Sequence, residues 1–173
     1  MANEIPASIT IESSNDDAHK KFGEILNNEN EIELNGKKFP NPWCSIDEYI
    51  PQDGFIYGYA RNGLDEKFMM ELYKTIKKID PKCNIFSDEE STMHDGMDTF
   101  MHIRNQIFSK IWIDTTALAK KHEIDLDKII EDQDIFEKMY KLIDEEEGKF
   151  RNLDAETDPS SLCGSMSIMV NFD

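Results

Sequence analysis

Residues 5–12 alternate along the chain, with Ile5, Ala7, Ile9 and Ile11 on one face. A period of two predicts a half-buried strand. Ser13-Ser14-Asn15-Asp16 then offers N-cap residues, and Ala18, Phe22, Ile25 and Leu26 form a helical stripe to about Asn27. Residues 31–39 (EIELNGKKF) place Asn35-Gly36 between short extended pieces, the pattern of a hairpin turn. A loop containing Pro40, Pro42 and Pro51 follows. It carries Trp43, Tyr49 and Ile50, bulk expected to pack on the body. Phe55 to Ala60 predicts the next strand, ended by Arg61-Asn62-Gly63. Leu64, Phe68, Leu72, Ile76 and Ile79 recur every three or four residues and predict a helix stopped by Asp80-Pro81; Cys83 to Ser87 predicts another strand. The expected order from 5 to 88 is β-α-β-β-α-β, the split arrangement of ferredoxin-like folds.

The pattern changes after Asp88. From Asp98 to Lys121, Phe100, Met101, Ile103, Ile107, Phe108, Ile111, Trp112 and Leu118 predict a largely enclosed helix. A second helix is expected from about Asp125 to Glu146, with Leu126, Ile129, Phe136, Tyr140 and Ile143 inward. After a polar link at 154–161, Gly164 precedes Met166, Ile168, Val170 and Phe172, which alternate as a closing strand. The expected fold is α+β: a ferredoxin-like sheet over 1–90, then a two-helix insertion and a C-terminal strand over 91–173, in one compact unit.

Composition narrows the function. Ten Phe, five Tyr and two Trp in 173 residues supply a core, which disordered chains lack. Nineteen Lys plus Arg against 36 Asp plus Glu give a formal charge of −17, which disfavours direct nucleic-acid binding because phosphates require clustered cations. Cys44, Cys83 and Cys163 are too scattered for a disulfide framework or zinc knuckle. No leader or membrane-length apolar run is evident, so a cytoplasmic protein with no membrane partner is expected.

The charge is unevenly spread. Residues 1–60 carry 4 basic and 11 acidic groups, residues 61–121 carry 10 of each, and residues 122–173 carry 5 and 15. On the expected 125–146 helix, Asp127, Glu131, Asp134 and Glu145 share the outward face. Carboxylates four residues apart sit ~6 Å apart along a helix axis. Phosphates on a nucleic-acid strand recur every ~3.4 Å of axis, so such a row imitates them coarsely. The plainer reading is a solvated face with pairs such as Asp134–Lys138. Solubility alone needs a charge of only ~2–8 in magnitude, however, so the surplus calls for another reason. The residues that answer it are Asp125, Asp127, Glu131, Asp132, Asp134, Asp144, Glu145, Glu146 and Glu147, with Asp154, Glu156 and Asp158 as a second patch.

Other constellations are weaker. Residues 117–126 resemble the helix-turn-helix of DNA-binding regulators, but Glu123 stands where glycine is usual. The would-be reading helix, Asp125 to Asp134, carries five acids and one lysine, so the segment reads as a structural corner. Phe55, Tyr57 and Tyr59 project from one strand face, as base-stacking aromatics do in RNA-recognition modules, or pack on helices. With Trp43 they would be the base-stacking residues of a nucleotide-sequestering protein. His94, Asp95, Asp98 and His102 form a His/Asp cluster, with Asp98 and His102 at helical i,i+4 spacing able to hold a divalent metal in a metal-dependent enzyme. Asp125 to Glu137 outlines a calcium loop but has Ile130 at the obligatory glycine. Met93, Met97 and Met101 read as core or as a pliable contact surface. No Gly-rich phosphate loop or nucleophile elbow is present, and no cofactor is expected.

The opening NEIPASITIESSNDDAHKKFGEIL resembles the ferredoxin-like N-terminal domain of a family of small phage- and plasmid-encoded proteins. The Trp-Cys pair typical near that family's start falls here at Trp43-Cys44. The acidity resembles that of phage anti-defence proteins, the DNA-mimicking anti-restriction and anti-CRISPR inhibitors. The resemblance implies a non-enzymatic inhibitor in the host cytoplasm whose partner is a basic protein or nucleoprotein complex.

Overall fold

A computed structural model describes residues 4–26, 31–50, 53–90, 97–153 and 156–172. The chain runs β1 (Glu4–Glu12), α1 (Asp16–Leu26), β2 (Glu31–Leu34), β3 (Lys37–Pro40), β4 (Trp43–Ile50), β5 (Phe55–Arg61), α2 (Glu66–Lys77), β6 (Asn84–Glu89), β7 (Met97–Arg104), β8 (Ile107–Asp114), α3 (Thr115–Lys121), α4 (Gln133–Arg151) and β9 (Gly164–Asn171). Seven strands pair in the order β4-β5-β1-β6-β7-β8-β9, while β2 and β3 pair separately. The fold is α+β with a mostly antiparallel sheet. Its strand order departs from the expected β-α-β-β-α-β sequence, because the 31–39 hairpin stands apart and the proline-bracketed segment 43–50 is a strand.

β4 escaped prediction because it is an edge strand with register shifts between Trp43 and Ser45 and between Ile46 and Glu48. Such irregularities erase the two-residue alternation. The helix expected over 98–121 is corrected to β7, β8 and α3. Phe100, Met101, His102 and Ile103 are buried in succession. A strand covered on both faces gives a continuous apolar run that periodicity alone does not separate from a buried helix. Asn105 and Gln106 join β7 to β8 with φ of 50° and 66°, the left-handed pair that a two-residue hairpin turn requires.

Two compact units divide the chain. Met1–Glu89, Met101–Ser109 and Met169–Asp173 form the first; Glu90–Phe100 and Lys110–Ile168 form the second. In the first, Ile9 of β1 lies opposite Ile56 and Ile11 opposite Ile85, and with Ala7 they share one sheet face. They bury with Ala18, Phe22, Ile25 and Leu26 of α1 and with Phe68, Leu72, Tyr73 and Ile76 of α2. Asp65 caps α2, its carboxylate accepting from the Lys67 N–H. In the second unit, Phe100, Ile111, Ile113, Leu118, Ile129, Met139, Ile143 and Phe150 form the core.

The expected closing strand is β9. It is the other edge of the sheet and has no charged residue, and Ile168 is 67% exposed with Met169 also open. Among the described residues no helix is long and apolar enough to cross a membrane.

Candidate functional site

The acidic segment is assembled by a series of turns, and carboxylates cap the helical ones. Asp114 caps α3, accepting from the Ala117 N–H at 2.9 Å. At the following corner Glu123 has φ 56°, the left-handed conformation that glycine takes most easily, so the sequence anomaly there is a structural one. Asp125 then caps a 3-10 turn at Leu126–Lys128, accepting from Asp127 N–H, and Asp132 caps α4, accepting from Asp134 N–H. The helix expected over 125–146 is therefore corrected: its first turn is a separate 3-10 turn, a new N-cap at Asp132 interrupts it, and α4 runs from Gln133 to Arg151. Acids at helix starts also complement the positive end of the backbone dipole.

The result is a dense exposed set. Asp125, Asp127, Glu131, Asp132 and Asp134 all face solvent, and the sequence reading missed Glu137, which is exposed beside them. Lys128 is the sole cation in 125–137. The same segment presents Ile130, 83% exposed, and Phe136, 38% exposed and in contact with the Tyr140 ring at 5.4 Å between centroids. Phe136 was expected inward. The doublet Ile129-Ile130 held the missing signal, since one turn can bury only one of two adjacent apolar residues; Ile129 is the buried one.

The other predicted acids do not join this surface. Asp144 and Glu145 are exposed on α4, but about 15 Å further along its axis than Asp134. Glu145 shares a shallow groove of about 750 Å³ with Lys121 and Lys149, which offset it. Glu146 and Glu147 are buried, a correction to their place in the displayed set. Glu146 accepts from Lys149 Nζ at 2.7 Å and from the Cys163 N–H at 3.1 Å. Burial alone would raise its carboxyl, but those bonds hold it below the ordinary range. Glu147 pairs with Arg151 at 3.3 Å. Glu156 is exposed. Asp158 is spent locally, accepting from the Ser160 hydroxyl at 2.7 Å and its N–H at 3.0 Å, which lower its carboxyl. Asp154 lies outside the described residues.

The His/Asp cluster is not a helical chelate. Asp98 and His102 lie on β7, where four residues span about 13 Å, and His94 and Asp95 lie outside the described residues. Among the described residues no group of three His, Cys, Asp or Glu is placed to hold a metal ion. One acid is nevertheless strongly perturbed. Glu90 is pushed up to about 7, first by burial and then by the charges of Asp98 and Asp144. On β5, Phe55, Tyr57 and Tyr59 are half-buried on the face opposite Ile56, Gly58 and Ala60, so they lie away from the face carrying the α1–α2 core. Trp43 is buried.

In comparisons with known proteins, no family model, curated protein or solved structure matches this chain.

Proposed function

We propose that this protein is a non-enzymatic acidic binding protein whose 125–137 segment seats on a basic protein surface. In this reading it is an anti-defence inhibitor that covers the nucleic-acid-binding surface of a host complex, with carboxylates lying where phosphates would. The observation that carries the reading is the exposure of six carboxylates within 125–137 around the protruding Ile130. A solvated helix face accounts for the acids but not for a branched aliphatic side chain held open among them. An apolar anchor inside a charged rim is the arrangement of a protein interface, where the anchor slows dissociation and the rim speeds association. In the same reading, α1 and α2 bridging the β4-β5-β1-β6 strands form a ferredoxin-like frame into which the β2-β3 hairpin is inserted.

The test separates rim from anchor. Asp127, Glu131, Asp134 and Glu137 are exposed and none supplies a cap, so changing them to Asn or Gln should leave the thermal midpoint within about 2 °C. The same quadruple change should weaken binding to immobilised host nucleic-acid-binding complexes by about 30-fold or more at low salt, with little loss at high salt. Ile130→Ser should weaken binding at both salt concentrations. A quadruple variant that binds with unchanged affinity and salt dependence would exclude the phosphate-mimic reading.

A further inference from the structure

A local departure from the protein's overall charge lies in the first unit. Lys37 and Lys38, at the start of β3, face Lys67 and Lys74 of α2 across a cleft of about 450 Å³. Phe39 and Met70 line it between the lysines, and Phe39 is braced edge-on by Phe68 with ring centroids 5.7 Å apart. A single carboxylate, Glu71, is also present, and it is already satisfied. Its oxygens accept from Lys37 Nζ at 2.7 Å, Lys74 Nζ at 3.1 Å and Asn35 Nδ2 at 3.0 Å, and only 6% of its side chain is exposed.

With Glu71 inside the cleft and Glu31 paired to Lys38 at its rim, four ammonium groups against two carboxylates leave a surplus of two positive charges. Glu71 positions two of the four lysines. Although burial pushes its carboxyl up, the bonds from Lys37, Asn35 and Lys74 hold it at about 2, so it stays anionic and anchors both lysines at any working pH. Lys38 is left with one exposed partner, Glu31 at 3.4 Å, and among the described residues Lys67 has no ion pair. Lys67 can turn to a ligand directly, and Lys38 can do so by giving up a solvent-exposed pair that is worth little.

We propose that this cleft binds a small anion carrying two or more phosphate groups and an apolar planar body, a nucleoside diphosphate or triphosphate. The lysines would hold the phosphates as point charges, and Phe39 with Met70 would pack against the body. Size decides between this ligand and a nucleic-acid strand. At physiological salt a charge is felt over about 8 Å, so a compact anion inside the cleft meets mainly the local cations. A long polyanion would extend beyond that distance into the field of a chain of charge −17. The site is independent of the acidic segment, so either reading can fail without the other.

Calorimetric titration of the full chain with ADP, pyrophosphate and inorganic phosphate tests the proposal. ADP should bind saturably and about tenfold or more tighter than pyrophosphate, with inorganic phosphate weakest. The double change Lys38→Gln and Lys67→Gln leaves the Glu71 network intact and should weaken ADP about tenfold. Phe39→Ala should reduce the preference for ADP over pyrophosphate while leaving pyrophosphate binding in place. Absence of saturable ADP binding up to about 10 mM, equal affinity for ADP and pyrophosphate, or unchanged ADP affinity in the double variant would each overturn it. The quadruple acidic variant described above should bind ADP as the parent does.

Discussion

Glu90→Gln should stabilise the protein at about pH 8 by about 2 kcal/mol, raising the thermal midpoint by roughly 4–8 °C, and should change little at about pH 5. Glu90 follows β6, is half-buried, and is pushed up to about 7 by that burial and by Asp98 and Asp144. In the unfolded chain it titrates near the ordinary 4.5. The native state therefore holds this proton more tightly than the unfolded state does, and stability falls as pH rises from about 4.5 to about 7. Above that window the native protein carries a charge it accommodates poorly. Glutamine preserves the shape without the charge. The full shift would correspond to about 3 kcal/mol, and solvent screening of a half-buried carboxylate together with local rearrangement reduces it. Melts of the two proteins across this range check it, and their difference cancels groups that titrate alike in both. A difference independent of pH would assign Glu90 a packing role only.

The second large effect is expected at Glu146, and with the opposite pH dependence. Glu146→Ala should cost about 2–3 kcal/mol at neutral pH, measured by denaturant unfolding. The side chain is 2% exposed, so its removal opens a buried space, and it orphans the Cys163 N–H. Lys149 is half-exposed and returns to water at little cost, which keeps the loss below that of a fully buried pair. Glu146→Gln retains an acceptor for Cys163 and should cost about half as much. Because the native carboxyl lies below its ordinary range, the stabilisation is complete above that range and is lost as pH falls from it to the lower native titration point. Equal losses for Ala and Gln would show that the charge, and not the bond to Cys163, carries the effect.

These two carboxylates show where sequence reading succeeds and where it stops. The buried residues of α1 are Ala18, Phe22, Ile25 and Leu26, the four that helical spacing picks out, because an amphipathic helix writes its inward face into the chain. β1 is equally legible. The β7-β8 hairpin is not, because a strand enclosed on both faces has no polar face to mark its period. Its available signal was the wealth of β-branched Ile103, Ile107, Ile111 and Ile113 around Asn105-Gln106. The run Asp144-Glu145-Glu146-Glu147 reads as uniformly solvated, yet two members turn inward. Lys149 and Arg151, three and four residues further on, supply the partners that make this possible, and that spacing was visible. The acidic region itself was legible as composition. Its division by the caps Asp125 and Asp132 into a 3-10 turn and the start of α4 was not legible, because aspartates that cap and aspartates that merely face solvent look alike in an acidic run.

The uncharged β9 gives the surplus of negative charge a second use. Its outer backbone groups and the open Ile168 and Met169 offer any neighbouring copy a strand on which to zip, whereas β4 at the opposite edge is guarded by its bulges and by Asp47 and Glu48. Mutual repulsion between like-charged molecules holds that encounter off in neutral solution. The sequence isoelectric point is about 4.5. Colloidal stability is therefore lowest near that pH, and acidification of concentrated solutions should favour association through this uncharged edge.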